Sequence, residues 1–474
     1  RWSTSKISQS VPFPGAANTL SVLLQSTIDL QGSDVSTITI TNISGAFVEE
    51  DWVDVRVVKD GVQVAGALFC EGGSDSSSSG RWRADTGDLV LSVCEREVFE
   101  AISEYEVHFT VTNPQAAQLS PSVFIEASGT ATFAKQSLAG LDGSEADVFG
   151  VAGGADALFV MIPAFETRSI AQSNFFSGKQ NLITATIMTN IDLASEHDSY
   201  LSLCCLESAE ISGTSVPVVV SGPGVLPEFC VDQDGTGGAG QARWDPSSLK
   251  IIMYVCPDAD NKISSWSEFS VSFNVTNPSF NQESPTITIS AGAMVPGSGI
   301  DAVEAVKPGL TGLGVANGND PMRVVIPEFV VRTASQSTPV SGATNRITVG
   351  LEVSVDLSGT DHSLITLSNL TGVQLNGQVP IDAVDGGHAG EYLFCGADGE
   401  SRIGAWEDSS ASLTLRLCQD QTMRVGVHYK IAFTVTNPDE DQQSPSISIH
   451  ASGQVVTIDA AAVVKDAASL LSIV

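Results

Sequence analysis

"FTVTNP" at residues 109–114 returns as "FNVTNP" at 273–278 and again as "FTVTNP" at 433–438. Asn113, Asn277 and Asn437 stand 164 and 160 residues apart, far too long a period for a helical solenoid and right for one domain per copy. Within the phrase the Phe and Val side chains share one face of a strand and the threonines take the other. Asn before Pro suits a strand that stops in an Asx-type turn. Pro114, Pro278 and Pro438 remove the next ladder donor, and the Ser-Pro pairs at 120–121, 284–285 and 444–445 begin a return strand. The phrase reads as a folding signal at the turn of a hairpin.

The repetition extends outward on both sides. Gln9-Ser10, Gln172-Ser173 and Gln336-Ser337 are each followed at the same offsets by Gly (15, 178, 342) and Asn (18, 181, 345). Next come "STIDLQGSD", "TNIDLASEHD" and "VSVDLSGTD", then an alternating strand, then Phe69-Cys70, Phe229-Cys230 and Phe394-Cys395. Trp82, Trp244 and Trp406 follow the first cysteine by 12, 14 and 11 residues, and Cys94, Cys256 and Cys418 follow the tryptophan by 12 every time. Each copy closes with "SPSVFIEASG", "SPTITISAGA" or "SPSISIHASG", whose period of two predicts a strand with one buried face. Val, Ile and Thr enrichment, with Gly, Ser, Asn and Pro at the breaks, predicts an all-β chain of three tandem, disulfide-bonded, antiparallel β-sandwich modules. The boundaries fall at 1–157, 158–322 and 323–474. Short linker helices are expected at "IDAVEAVK" (300–307) and "IDAAAVVKDAASLL" (458–471), and the Gly-rich linkers "AGLDGSEADVFGVAGGAD" and "PGLTGLGVANGNDP" share Gly-Val-Ala.

The chain has 474 residues, 42% of them hydrophobic, and 55 acids against 22 bases give a net charge of −33. That charge repels phosphate backbones and anionic lipid surfaces, which argues against nucleic acid or a membrane as partner. No apolar run reaches a membrane span's length; "ALFVMIPAF" (157–165) is interrupted by Pro163. The chain opens at "RWSTSK" without Met, as a processed or longer protein does.

Six of the eight cysteines form repeated pairs, Cys70 with Cys94, Cys230 with Cys256 and Cys395 with Cys418, without the CxxC spacing of zinc sites. Disulfides are expected, and with them an extracellular location. Asn-x-Ser/Thr sequons at Asn42, Asn274 and Asn369 point the same way; Asn42 and Asn369 occupy one position of the repeat, and Asn274 alternates with Phe273 and Val275 so as to face outward. In the second copy that position is Cys205, beside Cys204. A vicinal disulfide, a bond to a neighbouring chain and two free thiols stay open for this pair, with an intramolecular bond favoured.

Carboxylates recur after the first long strand as Asp29 with Asp34, Asp192 with Asp198 and Asp356 with Asp361, and Asp232 and Asp234 sit in "DQDG". Clustered oxygens on loops are what calcium requires, so calcium is the one cofactor in view; Asp and Gly as plain turn formers are the weightier reading. Enzymatic chemistry is not expected. GxSxG, HExxH and GxxxxGK[ST] are absent, and the six histidines (108, 197, 362, 388, 428, 450) hold no common place in the repeat.

The Cys, Trp, Cys order resembles the core of the immunoglobulin superfamily across the central third of each copy. Cysteine separations of 23 to 26 depart from the inter-sheet spacing of those domains, and a Tyr two residues before the second cysteine appears only as Tyr254. At the level of architecture the chain resembles extracellular filament and coat proteins such as the flagellar hairs of protists (mastigonemes), and microbial stalk adhesins. The resemblance implies a structural subunit of an extracellular filament or coat, beside other surface glycoproteins; head-to-tail assembly with other copies of itself is expected from the chain ends, and the second reading is a cell-surface adhesin or glycan- or protein-binding module array. Aligned through Gln9, Gln172 and Gln336, Arg1 falls on Ala164 and Glu328, and matching residues 458–474 to "IDAVEAVKPGLTGLGV" sets Val474 against Val315. On that alignment both ends stop inside the same linker, and the contact between copies repeats the contact between modules.

Overall fold

The computed structural model describes residues 1–70, 78–141, 146–258, 260–384, 388–465 and 470–473. The alternation seen in the sequence becomes burial: along Tyr105–Thr112 the side chains of Tyr105, Val107, Phe109 and Val111 are buried and those between them are not. The first copy orders its strands Trp2–Gln9, Ala17–Ser26, Tyr105–Thr112, Trp52–Lys59, Ser79–Arg83, Asp88–Ser92, Thr37–Thr41, Phe124–Ser128, Phe133–Ser137. The path folds over at Trp52–Lys59. Its residues 55–59 pair with Tyr105–Thr112 in one sheet, and its residues 52–54 pair with Ser79–Arg83 in the other. One strand thus serves both faces of a sandwich. Ser215–Ser221 does the same in the second copy. In the third the strand breaks at Ile381 into Gln378–Pro380 and Asp382–Ala383, and the sheets separate.

Buried apolar side chains gather into three clusters among the described residues, and these do not respect the sequence boundaries. Phe13 and Ala16, from the first copy, belong to the second cluster. Phe175 and Phe176, from the second copy, belong to the third. Ala157 and Leu158 of the linker pack back into the first cluster, whereas Val151 packs forward into the second. The connection therefore crosses from one copy to the next, returns, and crosses again.

Two sequence expectations are corrected here. The helices expected at 300–307 and 458–471 are strands: Ile300–Glu304 pairs with Thr288–Gly292, and Thr457–Ala462 with Ser448–Ser452. Residues 466–469 of the expected helix lie outside the described residues. Ala and Lys favour a helix in isolation, but the edge of a sheet offers these segments a ladder and an apolar face for Ile300 and Ile458, and tertiary context overrides propensity. Past these strands the chain turns to run parallel to the first strand of its own copy, pairing Ala139 with Lys6, Val306 with Ser169 and Val464 with Thr333.

The second correction concerns the C-terminal segment. Leu471 takes the left-handed conformation of Leu158 and Met322 (φ 56°, 58° and 60°), and Ile473 pairs with Gln442 as Val160 does with Gln118 and Val324 with Gln282. Val474 thus corresponds to Val325, ten residues beyond the expected match. Six positions separate Lys465 from Leu471 where fifteen separate Lys307 from Met322. The stretch that carries Gly-Val-Ala in the other linkers has no counterpart in the sequence between Lys465 and Leu471.

Candidate functional site

Each repeated amide of the sequence turns out to serve one buried network. In the first copy Asn18 Nδ2 donates to Gln9 Oε1 and to Asn113 Oδ1, both at 2.8 Å. Asn113 Nδ2 donates to the carbonyls of Val11 (2.8 Å) and Phe13 (2.9 Å), which fixes the loop that carries Phe13. Gln9 Nε2 donates to the carbonyls of Gly154 (2.8 Å) and Phe159 (2.7 Å), and its Oε1 also accepts from the Leu158 amide (2.7 Å). These are linker groups. The three side chains are almost wholly buried, and each donor and acceptor used is matched, the condition under which a buried polar network holds one arrangement against its alternatives.

The second copy repeats the network through Gln172, Asn181 and Asn277, with Gln172 holding the Gly318 and Arg323 carbonyls and the Met322 amide, all at 2.9 Å. The third uses Gln336, Asn345 and Asn437 on Leu471 and Ser472. A fourth amide completes the clasp and escaped the sequence reading. Gln118, Gln282 and Gln442 donate through Nε2 to the carbonyls of Leu158, Met322 and Leu471, at 2.9 to 3.0 Å. The signal was present, since each stands two residues before Ser-Pro. The serines of those Ser-Pro pairs, 120, 284 and 444, donate to the carbonyls of Ala157, Pro321 and Leu470. Asn in "TNP" is thus part of a linker-binding device as well as a turn.

The receiving side of each junction is built on an aspartate. Asp192 N donates to the carbonyl of Phe149 (2.7 Å), while its carboxylate accepts from Ser265 N (2.7 Å) and Lys262 Nζ (2.6 Å). Asp356 repeats this with the Leu313 carbonyl (2.8 Å) and the amide of Val425 (2.7 Å). Gly150 and Gly314 lie against these carboxylates with φ of 68° and 77°, and a Cβ on either would sit 2.2 Å from an aspartate oxygen. Only glycine fits the turn there, which explains the Gly-Val repeat. Asp29 holds the equivalent place in the first copy and accepts from Ala101 N at 2.7 Å.

Three of the other carboxylates named as calcium candidates are likewise engaged. Asp34 accepts from Thr130 Oγ1 (2.9 Å), Asp361 from the amides of Val455 (2.6 Å) and Val456 (3.1 Å), and Asp232 from Thr236 N (2.9 Å). Asp234 is exposed in its turn. Asp198 is not the counterpart of Asp34 and Asp361; it caps its short 3-10 turn in the left-handed conformation, in the position of Val35 and His362. Among the described residues no three His, Cys, Asp or Glu side chains converge as a metal site would need. The melting temperature is accordingly expected to be the same in millimolar calcium as in a chelator, and a rise of several degrees by scanning calorimetry would give these carboxylates to a cation instead.

Three disulfides join the expected pairs, Cys70–Cys94, Cys230–Cys256 and Cys395–Cys418, with Cα separations of 4.9, 5.1 and 5.1 Å. The tryptophan of each loop, 82, 244 or 406, is buried. Cys204 and Cys205 are free thiols with their sulfurs 2.9 Å apart, not the bonded pair that was favoured. The hydrogen bond with Cys204, then burial, pushes the Cys205 thiol up. Asn42, Cys205 and Asn369 share φ near 70° (66°, 71° and 68°), a left-handed position that Asn tolerates well. Asn42 and Asn369 each donate through Nδ2 at 2.7 Å, to the Ser122 and Ser446 carbonyls, so backbone geometry explains why Asn recurs there whether or not it carries a glycan. Asn274 is exposed on its strand, as expected.

One arrangement invites a catalytic reading. Ser21 Oγ lies 2.8 Å from His108 Nδ1, and His108 Nε2 lies 3.3 Å from Glu106. Ser21 and His108 are paired residues of adjacent strands, with Ser8 opposite Ser21 on the far side, and the second copy fills the same cross-strand place with Thr184 and Ser272 at 2.8 Å. Backbone amides within such a ladder are committed to neighbouring strands and form no oxyanion hole, so the trio is a cross-strand polar contact. Among the described residues no helix is long and apolar enough to cross a membrane.

No protein-family model matches the chain, and no curated protein does. Among solved structures, the C-terminal domain of the Streptococcus pyogenes antigen I/II-family protein AspA aligns at 8% identity and TM-score 0.37, covering 62% of this chain and 98% of that one. The C-terminal domain of the Streptococcus agalactiae antigen I/II polypeptide BspA aligns at 8% and 0.34, covering 64% and 99%. The collagen adhesin of S. aureus aligns at 11% and 0.18, covering 64% and 91%. Two of these are antigen I/II C-terminal domains and the third a collagen adhesin, and the flagellar-hair resemblance gains no support from them. Values this low mark a remote likeness among β-rich chains and nothing finer.

Proposed function

We propose that the chain is an extracellular or cell-surface structural protein in which three β-sandwich modules are clasped end to end into a stiff stalk, acting without catalysis. The observation that carries this reading is the clasp itself. A linker meant to flex leaves its backbone to water, whereas here residues 154–159 and 318–323 are held by buried glutamines while the neighbouring Gly-Val turns are seated on the next aspartate. Disulfides within each module and a large negative charge suit a secreted, soluble spacer.

A surface adhesin is the second reading. It is favoured by an open cleft of about 740 Å³ on the first copy, whose lining includes Asp54, Arg56 and His108. Small-angle scattering and binding arrays on the whole chain test both. A stalk is expected to scatter as a rod with one narrow distribution of lengths and to bind nothing on glycan or matrix-protein arrays. A broad distribution of sizes would defeat the stalk, and array binding abolished by Arg56→Ala would transfer the function to the cleft.

A further inference from the structure

Every cysteine of the sequence but two is held in a bridge, and those two are neighbours. Cys204 ends the strand Tyr200–Cys204, between Lys250 on one side and Thr288 on the other, and Cys205 opens the turn beyond it. Their sulfurs lie 2.9 Å apart and both side chains are half-buried, so a small reagent can reach them. With the other six cysteines bonded in pairs, no third thiol of the chain competes.

The repeat shows that the fold does not require sulfur here. Thr41-Asn42 and Ser368-Asn369 hold these positions in the other copies, where the asparagine, at φ 66° and 68°, ties the turn to the Ser122 or Ser446 carbonyl. Cys205 keeps the left-handed conformation at φ 71°. Its turn is anchored through the backbone: Cys205 N and Leu206 N both donate to the Leu249 carbonyl, at 3.0 and 3.2 Å, and Leu206 is fully buried. What the second copy gains is one sulfur held against another.

We propose that Cys204 and Cys205 form a redox site, a dithiol that a low-molecular-weight disulfide converts reversibly into a bond between the two sulfurs. Cys204 loses its proton and attacks one sulfur of the reagent, whose S–S bond breaks and releases a thiolate. Cys205 then loses its proton, attacks the sulfur of Cys204 and expels the second thiolate. The two thiolates take up the two protons; one S–S bond is broken and one formed, and two electrons pass from the pair to the reagent. Because the resolving thiol already touches the attacking one, the mixed disulfide is short-lived. The hydrogen bond with Cys204, then burial, pushes the Cys205 thiol up, so Cys205 keeps its proton while Cys204 attacks first.

The test treats the whole folded chain with oxidised glutathione. Iodoacetamide is expected to label both Cys204 and Cys205 before treatment and neither after it, and peptide mapping without reductant is expected to place the new bond between them with no glutathione retained. Reduced glutathione is expected to restore both labels while the other three bridges stay closed. Cys205→Asn introduces the residue that the other copies carry at this position, so the backbone accepts it. That variant is expected to stop after the first step and to keep one glutathione on Cys204. Continued labelling of both thiols after the oxidant, glutathione retained on the parent chain, or chains joined to one another through either cysteine would overturn the proposal, and so would a Cys205→Asn chain that takes up no glutathione. A chain purified with the bond already formed meets the proposal if reduced glutathione opens it in the folded state, and overturns it if the bond opens only on unfolding.

Discussion

Replacing Gln172 with leucine is expected to cost the second junction about 4 kcal/mol and to open the linker to protease. The glutamine holds two carbonyls and an amide of that linker and accepts from Asn181; leucine fills much of the space and satisfies none of them. A buried polar group left without a partner costs roughly 1–3 kcal/mol, and several are orphaned together here. Arg323, whose carbonyl is one of those held, offers a tryptic site inside the released segment. The expected result is cleavage after Arg323 in the variant under conditions that leave the parent intact, together with a lower guanidinium midpoint. Equal cleavage rates and equal midpoints would mean that the network adds nothing to the junction. Asn181→Leu combined with Gln172→Leu is expected to cost less than the two singly added, since both empty one network.

Opening the second disulfide has the next largest expected effect. Cys230 and Cys256 close a loop with a sequence separation of 26, and Cys230→Ser with Cys256→Ser is expected to lower stability by about 3.5 kcal/mol through the entropy returned to the unfolded chain. Trp244, buried inside that loop, reports the transition by fluorescence. Peptide mapping without reductant is expected to recover all three bridges. Free thiols at Cys70 and Cys94 in the purified protein would remove the first, and an unchanged midpoint in the double-serine variant would deny the second any stabilising role.

The strands were legible because one-sided burial prints a period of two, as in "FTVTNP" and "SPSISIHASG". The cysteine pairs were legible because they recur at a nearly constant distance from a tryptophan. The clasp was not, although every member recurs at a fixed place. Gln9 and Asn18 lie on two strands and Asn113 just past the end of a third, and no local pattern says that side chains 95 residues apart share a hydrogen bond. Asn113 has a sufficient local role before Pro114, and that role concealed the other. The segments 300–307 and 458–471 were misread because their composition is helical and the sheet edge that recruits them is distant in sequence. Asp198 was misaligned because carboxylates were counted where the backbone conformation of Val35 and His362 was the conserved feature of the repeat.

The parallel run of each linker beside the first strand of its own copy has a mechanical consequence. Ala139 beside Lys6, Val306 beside Ser169 and Val464 beside Thr333 place the entering and leaving segments of each copy side by side and pointing the same way. Tension applied at opposite poles slides two such segments past each other, so their hydrogen bonds resist together. A hairpin pulled from its open end surrenders its bonds one at a time. Survival under a stretching force is set by the rate of unfolding more than by its equilibrium. The edge along which each linker leaves its own copy is therefore loaded in shear when the chain is stretched.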